Sequence, residues 1–126
     1  MTAPVASVTG DTSLGDIARQ LTAGGFSGMP VVDGDHRVIG LVSEIDLMTA
    51  LLNGRDSSTP ATELMSAPAV AVDEFETTDA VMRIFRERGI HHLPVVRLER
   101  LVGIITPADV VRFLVERLLP VPPEAG

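Results

Sequence analysis

The sequence contains no cysteine, no lysine, no tryptophan and no tyrosine. Without cysteine the chain can form neither a disulfide framework nor a thiolate nucleophile. No apolar run approaches the roughly 18 residues that span a bilayer, and the first residues lack the basic-then-apolar pattern of a signal peptide. We therefore expect a cytoplasmic protein that has no membrane partner.

Charge and aromatic content disfavour a nucleic-acid partner. The chain carries a net charge of −7, and its ten strongly basic residues are all arginine. Nucleic-acid binding depends on basic side chains that neutralise phosphates, and single strands also need aromatic side chains on which bases stack. Four phenylalanines are the only large aromatic residues. We therefore expect no binding to nucleic acid.

Motifs of common enzyme classes are missing as well. The chain has no Gly-x-Ser-x-Gly segment, no P-loop, no His-Glu-x-x-His and no dinucleotide-binding fingerprint. We expect no catalytic residues and no required cofactor. A hydrolase that acts on nucleotides is kept as an alternative of a different class.

The sequence does contain one pattern twice. A shift of 64 residues pairs Val8 with Val72, Gly25 with Gly89, and Pro30-Val31-Val32 with Pro94-Val95-Val96. Further along, a shift of 63 residues pairs Gly40 with Gly103, Ser43 with Thr106, and Asp46 with Asp109. The loss of one residue in a hairpin turn explains the change of shift. The matches fall on turn, strand and helix-cap positions together, which indicates an internal repeat.

Each repeat predicts the order β-α-β-β-α. Short apolar strands are predicted at Val5–Val8 and Ala69–Val72. The first helices are predicted to begin after Thr12 or Ser13 and after Thr77 or Thr78, and to end at Gly24-Gly25 and Gly89. A hairpin follows in each repeat, and the last helices are predicted at about Glu44–Leu52 and Pro107–Leu119.

These elements predict an α+β fold of two β-α-β-β-α repeats packed with pseudo-two-fold symmetry. The expected boundaries are 1–53 for repeat 1, 54–64 for a linker and short turn, and 65–119 for repeat 2. Thr59 is predicted to cap that turn, with Pro60 at its first position. Residues 120–126 are too short and too rich in proline to fold, so we expect a mobile tail.

Each repeat places a hydroxyl residue three positions before an aspartate, at the predicted start of its last helix. These pairs are Ser43 with Asp46 and Thr106 with Asp109. A helix N-terminus attracts phosphate, and an aspartate can accept hydrogen bonds from a ribose diol. The same pattern is also a capping box, which stabilises a helix by about 1 kcal/mol without a ligand. Both roles can coexist.

The two Gly-hydrophobic-hydrophobic-Ser/Thr-x-x-Asp segments, each preceded by Pro-Val-Val, resemble those of a tandem pair of CBS (cystathionine-β-synthase) domains, also called a Bateman module. The resemblance covers about residues 1–119. It implies clefts that bind adenosine-containing ligands, with AMP, ADP, ATP or S-adenosylmethionine as candidates. It also implies a homodimer formed through CBS–CBS packing, and a protein partner that the module regulates.

The resemblance further implies which residues contact a ligand. They are Ser43, Asp46, Thr106 and Asp109 for the sugar phosphate, His91 and His92 for the phosphates, and Ala6, Phe26, Val70 and Ile90 for the base. The apolar four can equally be ordinary core residues, and the histidines can be polar loop residues. Adjacent histidines in an extended chain point apart, so we expect no metal site.

The two clefts are expected to differ. Repeat 1 has Ser27-Gly28 where repeat 2 has His91-His92. Phosphate contacts should therefore concentrate around the histidine pair and strengthen as pH falls toward about 6.5. The leading hypothesis is a regulatory module that senses an adenosine-containing nucleotide between its repeats. The alternative is a ligand-free scaffold for dimerisation or interaction.

Overall fold

The computed structural model describes residues 6–119 and arranges them as two β-α-β-β-α repeats. The elements of repeat 1 are β1 (Val8–Thr9), α1 (Leu14–Gly24), β2 (Gly28–Val32), β3 (Val38–Ser43) and α2 (Glu44–Leu52). A short 3-10 turn spans Ala61–Glu63. The elements of repeat 2 are β4 (Val72–Asp73), α3 (Thr78–Arg88), β5 (Leu93–Arg97), β6 (Arg100–Ile105) and α4 (Pro107–Leu118). The predicted α+β fold with two repeats is confirmed.

Each repeat forms its own three-stranded sheet, in the orders β1-β2-β3 and β4-β5-β6. The first strand of each sheet runs parallel to the second, and the second and third form an antiparallel hairpin. The register of both hairpins shifts at equivalent places, between Val31 and Val32 and between Val95 and Val96. The sequence repeat is therefore also a repeat of backbone geometry.

Local signals set the bounds of α1 and α3. The Ser13 hydroxyl accepts a hydrogen bond from the Asp16 amide at 3.2 Å, and the Thr77 hydroxyl accepts one from the Ala80 amide at 3.1 Å. Each helix ends at a glycine with a left-handed backbone, at φ 67° for Gly25 and φ 64° for Gly89. Such a φ is strained for most residues that carry a Cβ, so glycine is favoured there.

The first strand of each repeat begins later than predicted. Only Val8–Thr9 and Val72–Asp73 are strands, because they are the residues that pair with β2 and β5. Residues 6–7 and 69–71 are equally small or apolar but have no strand partner among the described residues. Strand length is set here by the register of the neighbouring strand. Residues 1–5 and the predicted tail at 120–126 lie outside the described part of the chain.

The segment between the repeats packs against repeat 1. The Leu14 amide donates to the Thr59 carbonyl at 2.7 Å, and the Ala61 amide donates to the Thr12 carbonyl at 2.8 Å. The prediction that Thr59 caps the short turn is wrong, because no side-chain hydrogen bond caps that turn, and the Thr59 hydroxyl donates to the Asp56 carbonyl at 2.6 Å. Pro60 stands at the cap position instead.

Equivalent residues of the two repeats meet at the pseudo-two-fold axis. Arg37 and Arg100, which correspond under the 63-residue shift, form an antiparallel bridge, and the Leu101 amide donates to the His36 carbonyl at 3.0 Å. Beyond the opposite end of β2 and β5, Gly28 lies against the ring of its counterpart His92. Contacts between equivalent residues are the contacts that pseudo-two-fold packing of the repeats produces. Within residues 6–119, no helix combines the length and apolar character that crossing a bilayer requires.

The two repeats bury unequal cores. The core of repeat 1 is centred on three fully buried side chains, Leu14, Ile17 and Met29. In repeat 2 the described core is smaller, with Leu93 as its fully buried member. Helix α4 buries none of its side chains. Since apolar burial is the main source of stability, repeat 1 contributes the larger share of it.

Candidate functional site

A cavity of about 600 Å³ lies between the repeats, and we call it cleft 1. Repeat 1 contributes Ser43, Glu44 and Asp46 to its lining, and repeat 2 contributes Val70, Ile90 and the histidine pair. The volume falls within the range of about 300–1,000 Å³ that is typical of small-molecule sites. A smaller cavity of about 280 Å³, cleft 2, is lined by Ala6, Phe26, Thr106, Asp109 and Arg112.

The predicted ligand residues are distributed crosswise between the clefts. In cleft 1 Asp46 of repeat 1 shares the lining with the apolar residues Val70 and Ile90 of repeat 2. In cleft 2 the Asp109 carboxylate of repeat 2 shares the lining with Ala6 and Phe26 from repeat 1. Each cavity thus combines a carboxylate from one repeat with apolar walls from the other.

Asp46 completes a capping box at the start of α2, and one of its two carboxylate oxygens takes no part in that box. Its Oδ2 accepts hydrogen bonds from the Ser43 amide at 2.8 Å and from the Ser43 hydroxyl at 3.0 Å. Its Oδ1 has no hydrogen-bond partner among residues 6–119. The capping role that the motif predicts is therefore present, and it leaves Oδ1 available to a ligand.

Asp109 is more fully engaged than Asp46. Its Oδ2 accepts a hydrogen bond from the Thr106 amide at 2.9 Å, and its Oδ1 accepts one from the Arg112 guanidinium at 3.0 Å. Burial opposes ionisation of Asp109, but these hydrogen bonds outweigh it and hold the pKa of the carboxyl below its ordinary value of 3.8. A ribose in cleft 2 would share or compete for the Asp109 oxygen that Arg112 binds.

His92 lies between the two clefts and lines both. Its Nε2 is hydrogen-bonded to the Ser27 hydroxyl of repeat 1. Burial lowers the pKa of the imidazole below 6.5, and His91 adds to this effect while Glu44 opposes it. His92 is therefore mostly neutral at pH 7, and the expectation that phosphate contacts of the histidine pair strengthen toward pH 6.5 stays a prediction. His91 is exposed and lines cleft 1.

The amides at the starts of α2 and α4 are mostly occupied by the protein itself. The Glu44 amide donates to the Ser27 carbonyl at 3.0 Å, and the Asp46 amide donates to the Ser43 hydroxyl at 3.2 Å. In α4, Pro107 has no N–H, and the Asp109 amide donates to the Thr106 carbonyl at 3.0 Å. These helix starts therefore offer less to a phosphate than the motif alone indicated.

Arg112, Glu44 and Ser27 are among the cleft-lining residues that were not predicted from the sequence. Arg112 lies three residues after Asp109 on one helix, a spacing that could have identified it as a partner of that carboxylate. Glu44 lies between the two motif residues of repeat 1 and could have been named from its position. Ser27 carried no signal, because its hydrogen bond to His92 joins residues that are 65 positions apart.

The described residues contain no group of three or more His, Asp or Glu side chains that could hold a metal ion. His91 and His92 follow one another in the chain, and His92 uses Nε2 to bind Ser27. The expectation that no metal site is present stays a prediction for the whole chain.

The fold and the sequence were compared with known proteins. The family model for the CBS domain matches residues 1–53 and 61–116. A 33.4 kDa protein from a ribosomal RNA operon of Thermofilum pendens is 31% identical over 103 residues, which is 82% of this chain and 34% of that protein. The chain therefore spans about a third of that relative's length.

Two solved structures have the same fold. The CBS-domain containing protein ATU1752 from Agrobacterium tumefaciens superposes with a TM-score of 0.74 and 33% identity, over 86% of this chain and 82% of that one. CBSX2, whose structure is a complex with AMP, superposes with a TM-score of 0.82 and 26% identity, over 90% of each chain. The chain belongs to the CBS domain family, as a tandem pair of these domains.

Proposed function

We propose that this chain is a regulatory module that binds an adenosine-containing ligand in cleft 1 and transmits the occupancy of that cleft to a protein partner. The observation that carries the proposal is the crosswise lining, in which Asp46 of repeat 1 and Val70 and Ile90 of repeat 2 line the same cavity. A ligand that contacts both sides bridges the repeats. Binding can then favour one arrangement of the repeats over another, which regulation requires.

Cleft 1 contains groups that match the base and the ribose of adenosine. The apolar side chains of Val70 and Ile90 suit the faces of a purine. The available Oδ1 of Asp46 can accept a hydrogen bond from a ribose hydroxyl, and such a charge-assisted bond contributes about 1.5–3 kcal/mol. The complex of CBSX2 with AMP shows that a related domain pair binds an adenine nucleotide.

We also propose that the chain acts as a homodimer. Helix α2 exposes a stripe formed by Ile45, Met48 and Leu52, and α4 exposes one formed by Val111, Val115 and Leu118. These side chains recur at helical spacing, so each stripe lies on one face of its helix. A contiguous apolar surface of this kind is typical of an interaction site. It also supports the alternative function, a scaffold whose clefts bind nothing.

Ligand binding to matched variants tests the proposal. Isothermal titration calorimetry with adenosine, AMP, ADP, ATP and S-adenosylmethionine should give binding for at least one compound. Asp46→Ala should weaken that binding by about tenfold or more, since a charge-assisted hydrogen bond is lost. Asp109→Ala is the matched control, because it removes the equivalent capping box of repeat 2 and does not line cleft 1.

The control separates ligand contact from helix capping. Both variants should lower the melting temperature, with the larger loss for Asp109→Ala because it also removes the ion pair with Arg112, and only Asp46→Ala should lose affinity. An equal effect of the two variants on affinity would contradict a contact by Asp46. The absence of binding by every compound would favour the scaffold, and conversion of a compound to product would favour the hydrolase. The cytoplasmic location expected from the sequence stays a prediction.

A further inference from the structure

The charged side chains that line cleft 1 are both acidic. Glu44 and Asp46 lie in its wall, and no arginine does. Arg88 precedes the lining residue Gly89 but is not itself in the lining, and Arg112 lines cleft 2. With neutral histidines, the lining of cleft 1 carries a formal charge of −2. A negative cavity repels a phosphate group and favours neutral or cationic groups.

The two histidines do not reverse this charge at neutral pH. His92 is half-buried, and its Nε2 is committed to the Ser27 hydroxyl. Burial lowers the pKa of its imidazole, so the ring is neutral above pH 7. His91 and Glu44 are both exposed to solvent, so salt screens the interaction of either side chain with a charged ligand. Neutral imidazole is a hydrogen-bond partner, not a counter-ion.

The helix starts that border cleft 1 are also poor anion sites. The Glu44 amide is used by the Ser27 carbonyl, the Asp46 amide by the Ser43 hydroxyl, and Pro107 has none. The amides of Ile45 and Ala108 are the remaining candidates in the two first turns, and both residues line the cleft. Two amides on separate helices are fewer than a bound phosphate dianion normally recruits.

We infer that cleft 1 selects adenosine derivatives whose 5′ substituent is neutral or positively charged over those that carry a 5′-phosphate. This inference rests on the proposed function and specifies the ligand class of the same site. Glu44 is its specificity-determining residue, because it is an acidic side chain of the lining with no part in the capping box. Its counterpart under the 63-residue shift is Pro107, which carries no charge.

Two pairs of probe ligands separate the effect of ligand charge from the effect of ligand shape. Adenosine and AMP differ by the phosphate, and S-adenosylmethionine and S-adenosylhomocysteine differ chiefly by the sulfonium charge. In calorimetry at pH 8, where His92 is neutral, adenosine should bind at least tenfold more tightly than AMP. S-adenosylmethionine should bind more tightly than S-adenosylhomocysteine. Both differences should shrink as the salt concentration rises, since screening weakens interactions between partly exposed charges.

Glu44→Gln provides the residue-level test. It should bind AMP several-fold more tightly than the wild type does, with little change for adenosine, because it removes one negative charge and keeps the size of the side chain. Glu99→Gln is the matched control: this exposed glutamate lies beyond the far end of β5 and outside both clefts. It should leave all four affinities unchanged.

The outcomes distinguish this inference from the function on which it rests. If AMP binds as tightly as adenosine, or if Glu44→Gln leaves the preference unchanged, the charge selection is overturned and an adenosine site remains. If none of the four probes binds, the proposed function is overturned and the inference with it. If adenosine binds more tightly than AMP and Glu44→Gln reduces this difference in affinity, the result supports both the proposed function and the charge selection.

Discussion

His92 and Gly28 occupy equivalent positions in the two repeats and touch each other at the pseudo-two-fold axis. A Cβ added to Gly28 would lie 3.1 Å from the imidazole ring, closer than ordinary van der Waals contact. Two large side chains cannot occupy both positions, so the symmetry must be broken here. The difference between Ser27-Gly28 and His91-His92 is therefore a packing requirement as well as a difference between the clefts.

The buried position of His92 predicts how stability depends on pH. Its pKa is lowered in the folded protein, mainly by burial, so the unfolded chain binds a proton more readily than the folded protein does. The free energy of unfolding should therefore decrease as pH falls through 6.5 and stop decreasing, for this group, below the folded pKa. NMR titration of the imidazole should give a midpoint below 6.5.

A variant identifies the source of this pH dependence. His92→Gln cannot titrate and can still donate to the Ser27 hydroxyl. Urea denaturation of this variant between pH 7.5 and pH 5 should show a flatter pH profile than that of the wild type. A His92 midpoint at or above 6.5, or an unchanged profile in the variant, would show that burial does not control the proton affinity of this ring.

At the scale of single elements, the ends of α1 and α3 are set by backbone conformation. Gly25 and Gly89 have φ of 67° and 64°, and a Cβ at either glycine would meet no atom within 4 Å. Replacement by alanine therefore introduces backbone strain without a clash. Gly25→Ala and Gly89→Ala should each lower the free energy of unfolding by about 1–2 kcal/mol.

Gly34 is the matched control for this prediction. It also has open space around its Cβ position, but its φ does not lie in the left-handed region. Gly34→Ala should change the free energy of unfolding by less than about 0.5 kcal/mol. Chemical denaturation of the three variants without ligand measures these differences. Equal costs at all three positions would contradict the assignment of the strain to φ.

Elements with local signals could be predicted from the sequence. Helix α1 is fixed by the Ser13 cap, by its apolar spacing and by Gly25, and all three lie within a few residues of it. The two-residue strands β1 and β4 could not be bounded in this way, because they exist only through pairing with β2 and β5. Thr59 was misread because its hydroxyl has a closer acceptor in the Asp56 carbonyl.

Some residues that line the two cavities were named from the sequence, but their grouping into separate cavities was not. Asp46 and Asp109 could be named from the motif, whereas their assignment to different cavities depends on how the repeats pack. The hydrogen bond from the Glu44 amide to the Ser27 carbonyl could not be predicted either, because it joins the start of α2 to the loop before β2. Contacts across such distances have no signature in local spacing.

At the scale of the whole molecule, the two repeats have the same backbone plan but different roles. Repeat 1 holds the larger described core and the carboxylate with an available oxygen. Repeat 2 supplies the apolar wall and the histidines of cleft 1. Duplication therefore provides two related cavities, and divergence between the copies gives them different volumes and different linings.

The exposed stripes of α2 and α4 lead to a prediction about assembly. Leu52 is 79% exposed and lies on the α2 stripe with Ile45 and Met48. A glutamate at position 52 should prevent burial of this face in a homodimer, since a charge cannot be buried cheaply without a partner. Because a symmetric dimer buries two copies of the residue, at about 1.5–3 kcal/mol for each leucine, Leu52→Glu should weaken dimerisation by about two to four orders of magnitude.

Leu98 offers a control of the same residue type, exposed to the same degree. It is 86% exposed, but it lies in the turn between β5 and β6, away from both stripes. In sedimentation velocity over a range of concentrations, the wild type and Leu98→Glu should be dimers, and Leu52→Glu should be a monomer. A monomeric wild type, or a Leu52→Glu variant that remains dimeric, would contradict assembly through α2. In that case the exposed stripes would remain available to a different protein partner, since large exposed apolar patches are typical of interaction sites.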